Sequence, residues 1–146
     1  MRTSPRRALF WLSILLGLGC DRQPAAPAPI LRGRLERVSR EHLRLGLTIR
    51  DGWHIGSNLP GRGGGFPTRV AWTLPEGWRV ADERWPSASP VALGGDTVAV
   101  FSGAMVIDVV LAPSAATRSE PIVAVVTYGA CRDQCVAGRL ALSVDP

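Results

Sequence analysis

Cys131 and Cys135 stand four positions apart around Arg132-Asp133-Gln134, and they are the residues of this chain best suited to chemistry. Two thiols at that spacing close a small ring if the chain turns between them, and three chemistries then compete. The first is a structural hairpin disulfide. By loop entropy so small a ring contributes only about 2 kcal/mol, which a domain of this length does not obviously require. The second is a redox pair, because a tight bridge at a strand end is open to thiolate attack and can be strained. Spacing fixes neither strain nor exposure, so the residues alone leave these two open. The third is a metal site. Zinc takes four ligands, or three and a water. The chain offers Cys131, Cys135, His42 and His54, with no second ligand pair at a recognisable spacing. Neither a metal nor another cofactor is therefore expected.

His54 follows the turn signal Asp51-Gly52 and Trp53. It reads either as an ordinary strand-end polar group or as a proton donor or acceptor beside a thiol, since imidazole changes charge near neutral pH. His42 opens an alternating run and reads as a partly exposed strand residue. The Gly-rich stretch Asn58 to Pro67 lacks the Gly-Lys-Ser/Thr ending of a phosphate loop and no helix follows it, so that reading is rejected. No serine nucleophile elbow, carboxylate pair of known spacing or nucleotide fingerprint occurs.

The elements that must hold these residues are strands. Leu43, Leu45, Leu47 and Ile49 alternate with Arg44, Gly46 and Thr48; Val70, Trp72 and Leu74 alternate with Arg69, Ala71 and Thr73. Met105, Ile107, Val109 and Leu111 line one face of a further run, Leu140, Leu142 and Val144 another, and Ile122 to Tyr128 is a β-branched run suited to a buried strand. Period two places one side of each strand in a core. Turn chemistry separates the runs at Asp51-Gly52, Pro60-Gly61, Pro75-Glu76-Gly77, Gly94-Gly95-Asp96 and Pro113-Ser114. Many short strands without a helical stripe predict an all-β sandwich. The strands on either side of Cys131 and Cys135 make a turn between them plausible.

The chain has 146 residues, enough for one domain. Its N-terminus reads as an export signal: Arg2, Arg6 and Arg7 precede the apolar run Ala8 to Leu18, and Gly17-Leu18-Gly19-Cys20 closes it. The run is short for a membrane span and its flanks are those of a signal peptide. The cysteine makes it resemble a bacterial lipoprotein signal, with Gly17 where leucine is usual. The expected organisation is a signal over 1–19, a lipidated Cys20 with a Pro/Ala-rich tether over 20–29, and a folded domain over 30–146. Lipidation removes Cys20 from the thiol pool and leaves Cys131 and Cys135 as one pair in an oxidising compartment. The formal charge of +5 then falls to +2, with 14 arginines against 12 acidic residues and no basic block. Nucleic-acid binding is not supported.

Several segments recur together in a known family: Asp51-Gly52-Trp53-His54-Ile55, the Asn58–Pro67 loop, Thr68 to Trp78, Trp85-Pro86, and Cys131 to Val136. In order and spacing they resemble the N-terminal periplasmic domain of the DsbD and ScsB disulfide reductases, over roughly Ile30 to Val144. The resemblance implies an immunoglobulin-like β-sandwich with a reactive cysteine pair at one end, which takes electrons from a thioredoxin-like domain and passes them to periplasmic partners. It implies that Cys135 forms the mixed disulfide with the partner and that Cys131 resolves it. It also implies a cap over the cysteines, in the region of Asp82-Glu83-Arg84-Trp85, with His54 and Gly56 where better-studied members carry tyrosines. Arg132 favours a nearby thiolate and Asp133 opposes it. Full-length relatives continue into a membrane electron-carrying domain and a thioredoxin-like domain. This chain, ending at Pro146 without a Cys-x-x-Cys, is expected to rely on thioredoxin-like envelope proteins and a separate membrane electron carrier.

Two functions follow as expectations: a lipid-tethered thiol–disulfide carrier on the periplasmic side of the envelope, or a non-redox binding module that keeps the sandwich and a structural disulfide. For the anchor, mass spectrometry of the mature protein from its native envelope is expected to show a lipid-modified N-terminal Cys20; a terminus at Met1, or beyond Cys20, excludes it.

Overall fold

The computed structural model describes residues 28–59, 66–93, 95–112 and 120–145. The expected signal, Cys20, most of the tether and the Pro60-Gly61 and Pro113-Ser114 turns lie outside them. Ten strands follow in order: β1 (Leu31–Arg37), β2 (His42–Ile49), β3 (His54–Gly56), β4 (Arg69–Thr73), β5 (Arg79–Arg84), β6 (Ser89–Leu93), β7 (Asp96–Phe101), β8 (Ala104–Ala112), β9 (Ile122–Cys131) and β10 (Cys135–Val144). No described residue is helical.

The strands form two antiparallel sheets. One has the order β1-β2-β8-β5; the other runs β10-β9-β3-β7-β6, with β4 also paired to β9. The five alternating segments expected from the sequence coincide with β2, β4, β8, β9 and β10. Alternation is most complete at the centre of the first sheet. Leu43, Leu45, Leu47 and Ile49 on β2 are buried, as are Met105, Ile107, Val109 and Leu111 on β8. Their register sets Leu45 opposite Ile107 and Leu43 opposite Val109, so one interior face is a continuous aliphatic layer. The second sheet answers it with Ile55, Phe101, Ile122, Ala124, Val126 and Ala130. On β10, an edge strand, the inward residues Leu140, Leu142 and Val144 are only half-buried. Gly33 on β1 marks where the sheets come closest, because a side chain there would run into Leu47, Leu140 and Leu142.

Left-handed glycines supply the tight turns. Gly52, Gly77 and Gly95 have φ of 77°, 74° and 94°, a region open to glycine at no steric cost. All three belong to turn signals read from the sequence. His42 is exposed at the start of β2, and its Nδ1 lies 3.1 Å from the Ser39 hydroxyl.

Burial predicts a sharp contrast between neighbours on β8. Ile107→Ala, at a fully buried position, should lower unfolding free energy by about 2–5 kcal/mol. Val106→Ala, on the outward face with 44% exposure, should change it by no more than about 0.5 kcal/mol. Urea unfolding of the two variants checks this.

Candidate functional site: the cysteine pair at the end of the sandwich

β9 determines where the cysteines lie. Along one edge it pairs with β10, from Val144↔Ile122 to Cys135↔Cys131. Its other edge is shared: β4 covers Val123 to Thr127, and the short β3 covers Ala130 and Cys131. The final residue of β9 is thus held from both sides. Cys131 and Cys135 form a disulfide with Cα atoms 4.1 Å apart, closing the hairpin around Arg132-Asp133-Gln134. Arg132 N donates to Gln134 O at 3.2 Å. The cysteines therefore occupy the next, non-hydrogen-bonded pair of the ladder, where facing side chains stand closest. The two sulfur-bearing residues are not equivalent, because Cys131 is half-buried and Cys135 exposed.

The register also places His54 directly opposite Cys131. Paired residues of an antiparallel ladder project to the same face, with Cβ atoms about 4.5–5.5 Å apart. The adjacent pair, Ile55 and Ala130, is fully buried in the core, so His54 and Cys131 share the opposite, outward face. His54 is nevertheless half-buried, and its Nε2 is buried with no hydrogen-bond partner among the described residues. Part of the cover on this face comes from the end of the Gly-rich stretch. Phe66 lies on Gly129, two residues before Cys131, so closely that a Cβ on that glycine would overlap it. Pro67 bridges Gly56. Buried Thr68 fixes this chain crossing by donating its hydroxyl to Gly56 O at 2.5 Å. Phe66 itself remains 60% exposed, an apolar surface beside the disulfide that the sequence reading did not single out.

Arg132 and Asp133, both exposed, pair with each other at 2.9 Å, so the carboxylate offsets the guanidinium's charge. Arg132 also lies over the Trp53 ring, 5.3 Å from its centroid, and Arg50 lies over the same ring at 5.2 Å. Such contacts favour aromatic rings through their quadrupole. The Asp51-Gly52 turn brings Trp53 beneath the cysteine hairpin, and a side chain at Gly52 would touch Arg132. Trp53 is a second residue absent from the sequence-based candidates. The signals for it were its place between a turn and His54 and its inclusion in the motif Asp51-Gly52-Trp53-His54-Ile55.

Asp82 and Glu83 come from β5 of the other sheet, and Trp85 directly follows that strand. A register shift between Val80 and Asp82 on β5 inserts one extra residue. Such a bulge re-aims the side chains that follow it. Val80 and Glu83, three positions apart, consequently share the inward side, while Asp82 stays exposed and pairs with Arg84 at 2.9 Å. Glu83 accepts hydrogen bonds from two indoles, Trp72 Nε1 at 2.6 Å and Trp85 Nε1 at 3.0 Å. Trp85 in turn stacks on Phe101 with centroids 5.9 Å apart. Phe101 is paired to Ile55, the residue beside His54. The acidic–aromatic segment thus reaches the cysteine end from the inward side, through Phe101 and β3. Tyr128, two residues before Ala130 on the inward side, lies against Gly138; burial raises its phenol above the ordinary value of 10.0. Among the described residues no three or more His, Cys, Asp or Glu side chains group as metal ligands would; His42 and His54 stand on different sheets.

Two antiparallel sheets packed face to face, with a disulfide in an end hairpin, define an immunoglobulin-like domain carrying a cysteine pair. The family profile described as "Thiol:disulfide interchange protein DsbD, N-terminal" matches residues 24–143, and the chain belongs to that family. No curated protein sequence matches it. Among solved structures it is similar to the N-terminal periplasmic domain of ScsB from Proteus mirabilis. The TM-score is 0.57 at 22% identity, over 79% of this chain and 45% of that one. It is also similar to the DsbD N-terminal domain of Neisseria meningitidis in the reduced form, with a TM-score of 0.51 at 12% identity, over 80% and 87% of the two chains. The chain therefore spans less than half of the ScsB chain, and identities this low speak to fold.

The shared carboxylate yields a test. Glu83→Ala leaves two indole N–H groups without their acceptor and should cost about 1–3 kcal/mol in urea unfolding. Glu83→Gln retains one acceptor oxygen and should cost less. Equal stability of all three proteins would show that the Trp72–Glu83–Trp85 contact contributes nothing.

Proposed function

We propose that this domain is a thiol–disulfide carrier that works on the periplasmic side of a bacterial envelope, tethered through a lipid on Cys20. It exchanges electrons with thioredoxin-like proteins, and a separate membrane electron carrier serves as their source. Family membership supports thiol–disulfide interchange in general. The observation that carries the specific reading is the asymmetry of the disulfide: Cys135 is exposed at the domain end while Cys131 is half-buried between β10 and β3.

The steps follow from that asymmetry. A partner thiolate attacks Cys135 Sγ, the reachable sulfur. The Cys131–Cys135 bond breaks, a partner–Cys135 disulfide forms, and Cys131 leaves as the thiolate. A second partner thiolate then attacks the partner's own sulfur in the mixed disulfide, releasing reduced Cys135 and an oxidised partner. Run in reverse on a different, oxidised partner, the sequence reduces that substrate, with Cys131 as the resolving thiol. The domain has only to present one sulfur and restrict access to the other. Phe66 offers an exposed apolar contact two residues along β9 from Cys131, and Trp53 lies under Arg132 of the cysteine hairpin.

Trapping distinguishes the roles of the two cysteines. Cys131→Ala should accumulate a mixed disulfide through Cys135 with a thioredoxin-like partner, and Cys135→Ala should abolish it; both variants should fold, since the bridge contributes only about 2 kcal/mol. The reverse pattern would exchange the two roles. If neither variant traps a partner and the native bond resists reduction well below about −270 mV, the thioredoxin potential, the disulfide is structural and the domain is a non-redox binding module.

A further inference from the structure

We infer that His54 is the proton donor and acceptor for the Cys131 sulfur, an assignment that rests on the carrier reading above and gives its buried cysteine a route for protons. Three observations meet at this point. His54 is the register partner of Cys131 on the outward face. Its Nε2 is buried and has no hydrogen-bond partner among the described residues while the disulfide is closed. And Cys131 is half-buried while Cys135 is exposed, which makes Cys131 the sulfur expelled in the attack proposed above. A buried polar nitrogen without a partner carries a desolvation cost. Opening the disulfide creates, one cross-strand position away, the group able to meet it.

The balance of the step is simple. Attack at Cys135 Sγ forms one S–S bond and breaks another, and the electron pair of the broken bond stays on Cys131. Imidazolium at His54 delivers a proton to that thiolate, leaving neutral imidazole and a Cys131 thiol that donates to Nε2. In the oxidising direction neutral His54 takes the proton back, and the resulting thiolate attacks Cys135 of the mixed disulfide and expels the partner's thiolate. No other reactant is needed.

The other ionisable groups near this end are paired or exposed to water. From the cysteine hairpin, Arg132 pairs with Asp133. From the β2–β3 turn come Asp51, exposed, and Arg50, which lies over Trp53 and donates to Ala28 O at 2.6 Å. From the inward side, Glu83 accepts from two indoles. On β7 the residues at this level are Val100 and Phe101, paired to Gly56 and Ile55, and neither ionises.

The test uses the mature protein and dithiothreitol, so it depends on no natural partner and stands or falls separately from the trapping experiment. Reduction rates of the wild-type protein and His54→Gln are measured from pH 5 to 9; taking their ratio cancels the titration of dithiothreitol itself. The ratio should be about tenfold at the acid end, where imidazole is charged, and fall toward one at the alkaline end. That is below the usual 10²–10⁴ of general acid catalysis, because a thiolate leaves readily without full protonation. A ratio that stays constant with pH, whatever its size, reduces His54 to packing and overturns the assignment. So does one that rises with pH. Should His54→Gln fail to fold, the wild-type protein still decides: the nuclear magnetic resonance titration of the His54 ring should move between the oxidised and reduced forms, while exposed His42 on the other sheet does not. Unmoved His54 overturns the assignment.

Discussion

The divided edge of β9 is the constraint on which the rest of the cysteine end depends. A strand in a sheet must find partners for its backbone groups on both sides or leave them to water. On one side β10 serves β9 along its whole length. On the other, β4 and β3 divide it, β3 taking only Ala130 and Cys131. Because β3 reaches the last residue of the strand, Cys131 is fixed within a three-strand arrangement, whereas Cys135 starts an edge strand and is free on its far side. The chemical difference between two identical side chains is therefore a consequence of sheet order.

That same division accounts for the neighbours. The described residues that lead into β4 lie where β3 and β4 part: Phe66 against Gly129, and Pro67 and Thr68 against Gly56. A side chain at Gly129 would occupy the space Phe66 takes, so glycine at this point of β9 is what lets an aromatic ring approach the disulfide face. On the inward side the bulge in β5 performs the complementary task. It turns Glu83 toward Trp72 and Trp85, and through Trp85 and Phe101 the edge of one sheet supports the short strand of the other.

Electrostatics at the hairpin is local and nearly balanced. Arg132 would on its own favour a thiolate, but Asp133 lies 2.9 Å from it, and the exposed pair has little net effect on stability. The orientation of the guanidinium over Trp53 gives it a positional role at the turn. His54 is different in kind, since its Nε2 is withdrawn from water and has no hydrogen-bond partner among the described residues while the sulfurs are joined.

Much of the architecture could be read along the chain because strand alternation is a local property. β2, β4, β8 and β10 declare themselves through period-two apolar residues and β9 through a β-branched run, and Gly52, Gly77 and Gly95 fall in turns whose residue types announced them. The cysteine spacing placed the pair at a hairpin for the same reason: three residues between two strands have few ways to run. β1, β3, β5, β6 and β7 were not separated out, being short, polar or irregular, and the bulge at Val80/Asp82 breaks the period that would have revealed β5. Burial of β10 also fell short of its alternation, because an edge strand has core on fewer sides. What no local pattern encodes is which distant residue faces which. His54 opposite Cys131 is separated from it by 77 positions, and Trp72, Glu83 and Trp85 are joined by a carboxylate between two sheets. The residue types determined that a thiol pair and an imidazole were present; pairing registers, which satisfy the backbone hydrogen bonds of the whole sheet at once, decided that they meet.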